Sequence, residues 1–268
     1  MPKVSLNGIE LFYDSKGTGE PLLLISGFLC DHTYWSVIMP DLTAQYQIIR
    51  IDNRGVGRSS APDNPYGLQQ LAHDAAALLE HLNIDQVHVA GHSMGGQIAQ
   101  ELALLYPQKV KSLILLSSLA KGDERFNQII STWGELLQRI DTKLYQQVVL
   151  PWIFSDNFYS VPDMVEQLIE WAVHYPFSPP VHSIYHHSRA ILGADTINRL
   201  QNILCPTLIL VGKQDILTPL KFSQQLSTGI PQARLSVIEG GGHGFIIESP
   251  RIVAKEMLDF LAQPNSKR

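Results

Sequence analysis

The chain has 268 residues, of which 45% are hydrophobic and 17% charged, and its formal net charge is −5. This composition is typical of a globular protein with one large domain and a sizeable core. The acidic balance and the lack of a Lys/Arg cluster argue against nucleic-acid or anionic-membrane binding, because neutralising phosphates requires a basic patch. No apolar run approaches the roughly 20 residues that span a bilayer, and the N-terminal segment lacks a signal-peptide layout, so we expect a cytoplasmic protein.

The N-terminal part of the chain carries strand patterns interrupted by one helical pattern. Asn7-Gly8 separates two extended segments and supplies the positive φ angles of a two-residue turn, which predicts a hairpin. Continuous apolar runs then predict strands buried on both faces at 21–26, 46–52 and 86–91. Residues 68–82 repeat apolar side chains at intervals of three and four, which predicts an amphipathic helix.

The same alternation returns later in the chain. A helix is expected directly after Ser93, and further strands are predicted at 111–117, 206–212 and 233–239. A last helix is predicted at 250–261, with Ser249 as its N-cap, before a frayed tail at 265–268. Strands alternating with helices predict an α/β protein with a mostly parallel sheet covered on both faces, and the hairpin adds antiparallel strands at one edge.

The pattern changes between the two parts. Residues 119–202 show helical periodicity, many aromatic side chains and no convincing buried strand. We interpret this segment as a helical cap inserted between a first core segment, 1–118, and a second, 203–268. A continuation of the α/β layer is the alternative, and it is less favoured because no strand separates the predicted helices.

A Gly-x-Ser-x-Gly sequence, Gly91 to Gly95, stands where a predicted buried strand meets a predicted helix. Chance alone would produce this pattern in about one sequence in ten of this composition. At a strand-to-helix junction, however, a sharp turn forces the central Ser93 into a strained backbone conformation with its oxygen exposed. The context therefore favours a nucleophilic serine.

A serine hydroxyl needs a base to take its proton and a third group to orient that base. His243 lies in the glycine-rich "EGGGHGF" after a predicted strand, and Asp215 follows the preceding strand in "VGKQD". Singly, such residues are most often turn, cap or loop residues. Their order and their common place after separate strands favour a Ser93–His243–Asp215 triad. His92 is expected to orient the turn or line the site rather than to act as the base.

A resemblance to the α/β-hydrolase fold family, in its branch of esterases and enol-lactonases, is carried by "GHSMGGQIAQELALLYPQKVKSLIL", "RIDNRGVGRSS", "LVGKQDILTP" and "IEGGGHGFIIESP". It covers residues 3–118 and 203–261, whereas the cap is similar only in being helical. In "RIDNRGVGRSS" we expect Arg54 to be braced against a carboxylate rather than to bind an acidic substrate.

The resemblance implies specific roles at matching positions. Ser93 corresponds to the nucleophile, His243 to the base and Asp215 to the orienting acid, and the backbone N–H groups of Met94 and Phe28 would form the oxyanion hole. One departure concerns that hole. Where the family commonly has His-Gly after its third strand, this chain has Ser26-Gly27, so the preorganisation of the loop is the point to examine.

Large aromatic side chains concentrate in the cap segment. Most are expected to hold the cap together, and a few to face the serine as an apolar substrate pocket. The residues proposed for that pocket are Trp133, Trp152, Phe154 and Trp171. His182 and His186 have a metal-like spacing of four, but no nearby carboxylate or cysteine completes a ligand set, so no metal site is predicted.

These features predict a serine hydrolase of the carboxylesterase type that cleaves small, largely apolar esters or lactones without a cofactor. The serine at position 93 excludes relatives that use a carboxylate nucleophile. Carbon–carbon bond hydrolysis or cofactor-free perhydrolysis with the same triad remains an alternative, as does a small-molecule receptor with slow turnover. Acyl and alcohol specificity, the physiological substrate and the oligomeric state stay open.

Overall fold

The computed structural model describes residues 2–263, so the tail predicted at 265–268 lies outside the described residues. Eight strands occur in this part of the chain: β1 (Lys3–Leu6), β2 (Ile9–Lys16), β3 (Glu20–Ile25), β4 (Tyr46–Ile51), β5 (Val87–His92), β6 (Val110–Leu116), β7 (Thr207–Gly212) and β8 (Ala233–Ile238). They form one sheet in the order β1-β2-β4-β3-β5-β6-β7-β8.

Eleven α-helices accompany the sheet in the same residues: α1 (Met39–Leu42), α2 (Leu68–His81), α3 (Met94–Leu105), α4 (Glu124–Leu136), α5 (Thr142–Ile153), α6 (Asp156–Tyr159), α7 (Met164–Val173), α8 (Val181–Leu192), α9 (Leu220–Gly229), α10 (Phe245–Glu248) and α11 (Pro250–Leu261). Two 3-10 helices lie at His32–Val37 and Ile197–Asn202. Ser249 stands at the N-cap position of α11 as predicted, although its side chain makes no capping hydrogen bond.

The predicted hairpin and the predicted sheet are both confirmed. Asn7 and Gly8 have φ angles of 49° and 76°, and Leu6 pairs with Ile9 across a two-residue turn. Strands β1, β2 and β4 pair antiparallel, whereas every pairing from β4 through β3 to β8 is parallel. The carboxyl ends of the parallel strands therefore meet at one edge of the sheet.

Each central strand divides its side chains between two apolar cores. Leu23 and Val89 pack into the core that α2, α3 and α9 cover, whereas their neighbours Leu22 and Ala90 pack into the core that α1 and α11 cover. This is the period of two that a strand imposes on its side chains, with both faces buried. The structure is thus a three-layer α/β fold, as predicted.

The helices α4 to α8 lie between β6 and β7, and no strand occurs between these two in the described chain. The cap boundaries of 119–202 remain a prediction. No helix within residues 2–263 combines the length and the apolar character needed to cross a bilayer. The cytoplasmic location also remains a prediction.

Candidate active site

Ser93 occupies a sharp turn between β5 and α3. Its φ and ψ angles are 54° and −119°, a conformation that costs a residue with a side chain about 1–3 kcal/mol. Gly95 lets the turn form, because a Cβ there would lie 2.1 Å from the Ile25 carbonyl oxygen. The Ser93 amide donates to the Leu116 carbonyl at 2.8 Å, which fixes the turn to β6. The local geometry is the one that the Gly-x-Ser-x-Gly pattern predicts.

His243 and Asp215 lie together in loops that follow β8 and β7. The Nδ1 atom of His243 is 2.9 Å from Oδ2 of Asp215, and each residue is only 3% exposed. Because an ionised carboxylate can only accept, Nδ1 carries the hydrogen. The lone pair of the neutral ring is then on Nε2, which has no hydrogen-bond partner in the described part of the chain.

The carboxylate of Asp215 is held by several donors. Its Oδ1 accepts the amides of Leu217 and Thr218 at 3.0 and 2.7 Å, and its Oδ2 accepts the hydroxyls of Ser117 and Thr218, both at 2.7 Å. Burial alone would raise the pKa of Asp215, but the charge of His243 and these hydrogen bonds outweigh burial and lower it. Asp215 therefore stays ionised in a nearly dry site.

His92 connects the serine turn to the His243 loop. Its Nε2 is 3.0 Å from the His243 carbonyl oxygen, and the two rings lie 4.9 Å apart. On the other side, the ring of Tyr34 packs at 4.7 Å. Burial, followed by the nearby charge of His243, lowers the pKa of His92 to about 3. His92 is therefore neutral near neutral pH, which fits the orienting role expected for it.

The hydroxyl of Ser93 is the member of the predicted triad that is not yet bonded. Among residues 2–263, neither Ser93 Oγ nor His243 Nε2 has a hydrogen-bond partner. The structure thus joins His243 to Asp215 directly, and His92, the residue before Ser93, contacts the His243 loop. Catalytic hydrogen bonds are often absent or long in a free enzyme and shorten when the substrate binds.

The two amides predicted for the oxyanion hole are available. Neither Phe28 nor Met94 uses its N–H group in a hydrogen bond within the described chain. Gly27 lies against the turn, because a Cβ on it would be 3.1 Å from Ser93 Cβ. Phe28 follows Gly27 and Met94 follows Ser93, so both amides lie in the two segments that meet at this contact.

The departure at Ser26 has a structural explanation. Its buried hydroxyl donates to the Asp31 carbonyl at 2.8 Å, and its own carbonyl accepts from Asn53 Nδ2 at 3.2 Å. These bonds close the loop that includes Phe28 and hold Leu29 at a positive φ of 58°. The serine side chain is therefore buried, and its hydroxyl forms a hydrogen bond within the loop.

Two of the four aromatic residues predicted to bind substrate lie inside the cap. Trp133 is 4% exposed and belongs to the large core cluster together with the α4 and α8 side chains. Trp152 is half-buried, and Arg125 lies 5.6 Å from its ring centroid. Trp133 thus mainly holds the cap together.

The other two differ sharply in exposure. Phe154 is buried, stacks on Phe158 at 4.0 Å, and would contact a Cβ at Gly244 at 2.8 Å, which places it beside the residue after His243. Trp171 is 54% exposed, and its ring packs at 4.7 Å against Tyr175. The position of Phe154 supports a place in the pocket wall, whereas that of Trp171 at the cap surface does not.

The histidines of α8 tie the cap to the body. His182 and His187 donate from Nε2 to the carbonyls of residues 61 and 54, at 3.0 and 2.8 Å, and His186 Nε2 lies 3.0 Å from an Asp63 carboxylate oxygen. The spacing that resembled a metal site thus serves loop contacts.

Arg54 is paired with Asp74 through two hydrogen bonds of 2.6 and 2.8 Å, as predicted.

Sequence reasoning missed Ser117 and Thr218, which both donate to Asp215. A signal for Ser117 was present, because it closes a buried strand at the edge that carries Ser93 and Asp215. The sequence pattern alone predicts only a strand end at this position. Thr218 offered no periodic signal, since it lies in an irregular loop.

Comparison with known proteins identifies the family. The profile described as "alpha/beta hydrolase fold" matches residues 20–250. The chain therefore belongs to the α/β-hydrolase family, and it is a hydrolase.

Relatives with different activities share this fold. RutD of Azorhizobium caulinodans, whose name assigns it provisionally to carbamate hydrolysis, is 28% identical over 98% of this chain and 99% of its own. A thermophilic esterase of Thermogutta terrifontis is 26% identical with a TM-score of 0.87, over 97% of both chains. Est816, described as degrading N-acyl homoserine lactones, is 28% identical with a TM-score of 0.84, over 97% of this chain and 100% of its own.

Proposed function

We propose that the protein is a serine hydrolase that cleaves carboxylic esters or lactones of small, largely apolar molecules through an acyl-enzyme intermediate. The observation that carries the proposal is the 2.9 Å contact between His243 Nδ1 and Asp215 Oδ2 in a buried site beside the strained turn at Ser93. A base with an oriented ring and a free Nε2 next to a serine is the arrangement that activates a hydroxyl.

The first half of the reaction forms the acyl-enzyme. His243 Nε2 takes the proton of Ser93 while Oγ bonds to the carbonyl carbon, and the electron pair of the C=O bond moves onto its oxygen. Asp215 stabilises the imidazolium that results. The tetrahedral adduct collapses as His243 gives its proton to the leaving alcohol, which breaks the C–O bond.

The second half releases the acid. Water loses a proton to His243 and attacks the acyl carbon, and the collapse of the second adduct returns that proton to Ser93 Oγ. In both adducts the oxyanion would accept from the free amides of Phe28 and Met94. Each such donor contributes about 3 kcal/mol to transition-state stabilisation in comparable sites.

The surroundings of the site support an uncharged, largely apolar substrate. The loop beside Ser93 presents Phe28, Leu29 and Cys30, and Phe154 packs next to the His243 loop. Burial raises the pKa of the Cys30 thiol to about 12, so this side chain is an uncharged part of the wall. The esterase and the lactone-degrading enzyme with the same fold favour the same substrate class.

Carbamate hydrolysis is a second candidate. It is favoured by the 28% identity to RutD over nearly the whole chain. A carbamate has a carbonyl carbon that the same serine could attack, but its attached nitrogen makes that carbon less electrophilic than the carbonyl carbon of an ester.

The test is a substrate profile on the full chain. We expect p-nitrophenyl esters of short and medium acyl chains to be hydrolysed faster than matched p-nitrophenyl carbamates, and Ser93→Ala to lose both this activity and labelling by a fluorophosphonate. Carbamates turned over faster than every ester would favour the second candidate. Full ester hydrolysis by Ser93→Ala, with its fold confirmed by circular dichroism, would exclude Ser93 as the nucleophile.

A further inference from the structure

Two consecutive serines end the strand that lies between the predicted nucleophile and the predicted acid. Ser117 and Ser118 follow β6, which pairs with β5 on one side and β7 on the other. Both are 0% exposed. Ser118 Oγ donates to the Ser93 carbonyl at 3.0 Å, whereas Ser117 Oγ donates to Asp215 at 2.7 Å. The two adjacent serines therefore bond to different residues of the site, Ser118 to Ser93 and Ser117 to Asp215.

Ser117 has a backbone that its side chain does not favour. Its φ angle is 46°, in the left-handed region that residues other than glycine avoid. The Ser117 amide donates to the Leu210 carbonyl at 2.8 Å, and the Ser117 carbonyl oxygen lies 3.1 Å from Thr218 Oγ1. Both neighbours belong to β7 or to the Asp215 loop, so this conformation is held by the segment that carries the acid.

The hydroxyl of Ser117 bonds to the same Asp215 oxygen as the ring N–H of His243. Oδ2 of Asp215 accepts both Ser117 Oγ–H and His243 Nδ1–H, and Thr218 Oγ1 lies 2.7 Å from the same oxygen. A donor on a carboxylate oxygen withdraws charge from it, so a second acceptor bond on the same oxygen becomes weaker. The Ser117 hydroxyl therefore limits how strongly Asp215 stabilises the protonated form of His243.

We propose that Ser117 is a positioning residue for the hydrolytic reaction, which fixes the carboxylate of Asp215 through the same oxygen, Oδ2, that accepts the ring N–H of His243. This inference rests on the proposed roles of Ser93 and His243. The left-handed backbone at position 117 coexists with the 2.7 Å bond from its hydroxyl to Asp215 Oδ2.

The other ionisable groups around His243 do not share this role. His92 from β5 has a pKa lowered to about 3 by burial, and burial raises the pKa values of Tyr34 and Cys30, from the first 3-10 helix and the loop after β3. Glu248 of α10 accepts from the Gly242 amide and the Ser155 hydroxyl. None of these groups bonds to Asp215 within residues 2–263.

The test compares Ser117→Ala and Ser117→Gly with the wild type. Both variants lack the hydroxyl, but only glycine relieves the left-handed backbone, so their stabilities should differ. We expect both to move the acid limb of the pH profile of kcat/KM to higher pH by up to about 1 unit, because the more basic Asp215 favours the protonated His243. In both, kcat should fall about tenfold with little change in KM.

A second readout is independent of the substrate class. The rate of Ser93 phosphonylation by a fluorophosphonate, measured against pH, should show the same shift, and the low-field proton resonance of His243 Nδ1–H should move further downfield in both variants. Ser223→Ala is the matched control, because Ser223 is also a fully buried serine, its hydroxyl has no partner among the described residues, and it lies on α9. It should keep the wild-type profile. Ser118→Ala should keep the wild-type apparent pKa even if its rate falls.

Superimposable acid limbs for the wild type and both position-117 variants would overturn the inference. Acid-limb shifts that differ between the two variants in proportion to their loss of stability, although both lack the hydroxyl, would also overturn it. Failure of the proposed function looks different: the wild type itself would then not be phosphonylated at Ser93. Phosphonylation without ester hydrolysis would reject the substrate class alone and leave the test of Ser117 valid.

Discussion

The sheet body and the helical cap are built on different principles. In the body, successive strand residues such as Leu22 and Leu23 enter two separate apolar cores, and every candidate catalytic group stands at the carboxyl end of a strand. The cap exposes large apolar side chains, including Leu144, Val148, Trp171 and Tyr185. It packs on the body through side chains of the large apolar core, such as Phe126, and through polar contacts such as those of His187 and Tyr175.

The difference indicates where precision is needed. The chemistry requires Ser93, Asp215 and His243 to be held within fractions of an ångström, and parallel strands with buried faces provide that rigidity. A substrate pocket tolerates more variation, so the cap does not need the two-sided burial that holds the strands of the body. Substitutions at the strand ends of the body should therefore affect the rate most, and substitutions at exposed positions of the cap should affect it least.

The largest effect is expected from Asp215→Asn in the body. The amide removes the charge that stabilises protonated His243, and its NH₂ group would face a donor at either position, because both carboxylate oxygens accept hydrogen bonds. We expect kcat to fall on the order of 10³–10⁴-fold. Steady-state ester kinetics with circular dichroism as the folding control measure this. An active Asp215→Asn variant would assign the orienting role to another residue.

The same substitution, glycine to alanine, can be made in the body at Gly95 and in the cap at Gly193. In Gly95→Ala, the new Cβ would lie 2.1 Å from the Ile25 carbonyl oxygen, so α3 must move away from the sheet, and we expect a loss of about 3 kcal/mol or more. Gly193 ends α8 with a φ of −84°, and its nearest contact would be 3.5 Å. Gly193→Ala should be neutral or stabilising by about 0.5 kcal/mol. Urea unfolding of both variants measures the change in the free energy of unfolding. Equal losses of stability in the two variants would contradict the comparison.

The contact of α8 with the body should make stability depend on pH. Burial, followed by the charge of His186, lowers the pKa of His187 to about 4, while the hydrogen bond to the Arg54 carbonyl opposes the shift. The native state thus keeps His187 neutral, and the unfolded chain takes up a proton below pH about 6.5. The contribution to stability is complete above that pH and is lost as pH falls towards 4, by about 3 kcal/mol in total.

His187→Gln tests this dependence, because the glutamine amide can still donate to the Arg54 carbonyl but does not titrate. We expect its unfolding free energy to fall less than that of the wild type between pH about 7 and about 4, with a difference approaching 3 kcal/mol. His174→Gln is the control, since the His174 side chain is 77% exposed. Parallel pH dependences for the wild type and His187→Gln would show that His187 is not protonated on unfolding.

The same contrast explains what the sequence predicts and what it does not. The strands and the elbow at Ser93 follow from local periodicity and from glycine positions, and the apposition of Asp215 and His243 follows because parallel strands end at one edge. The cap aromatics do not obey such a rule. Trp171 and Trp133 have similar sequence surroundings, yet one is exposed and the other buried, because helix packing within the cap decides this.

Contacts made by single polar groups were also beyond the sequence pattern. Ser117 bonds to Asp215 from a backbone with a positive φ angle. A serine at the end of a strand pattern does not indicate that conformation. His182 and His186 lie four residues apart, and each contacts a different part of one loop, which their spacing does not indicate. Such pairings depend on tertiary position, which no periodicity encodes.

The smallest effect is expected from Tyr175→Phe, which removes the hydroxyl that Tyr175 donates to the Asp31 carboxylate. Tyr175 is partly exposed and Asp31 keeps its bonds to Thr33, so the global unfolding free energy should fall by about 1 kcal/mol or less. Hydrogen exchange should nevertheless quicken in α7 while β5 remains protected, because the bond joins the loop after α7 to the body. Equal quickening in α7 and β5 would mean that the cap does not open as a separate unit. Faster exchange confined to the cap, with kcat changed less than about threefold, would show that the body alone sets the chemistry.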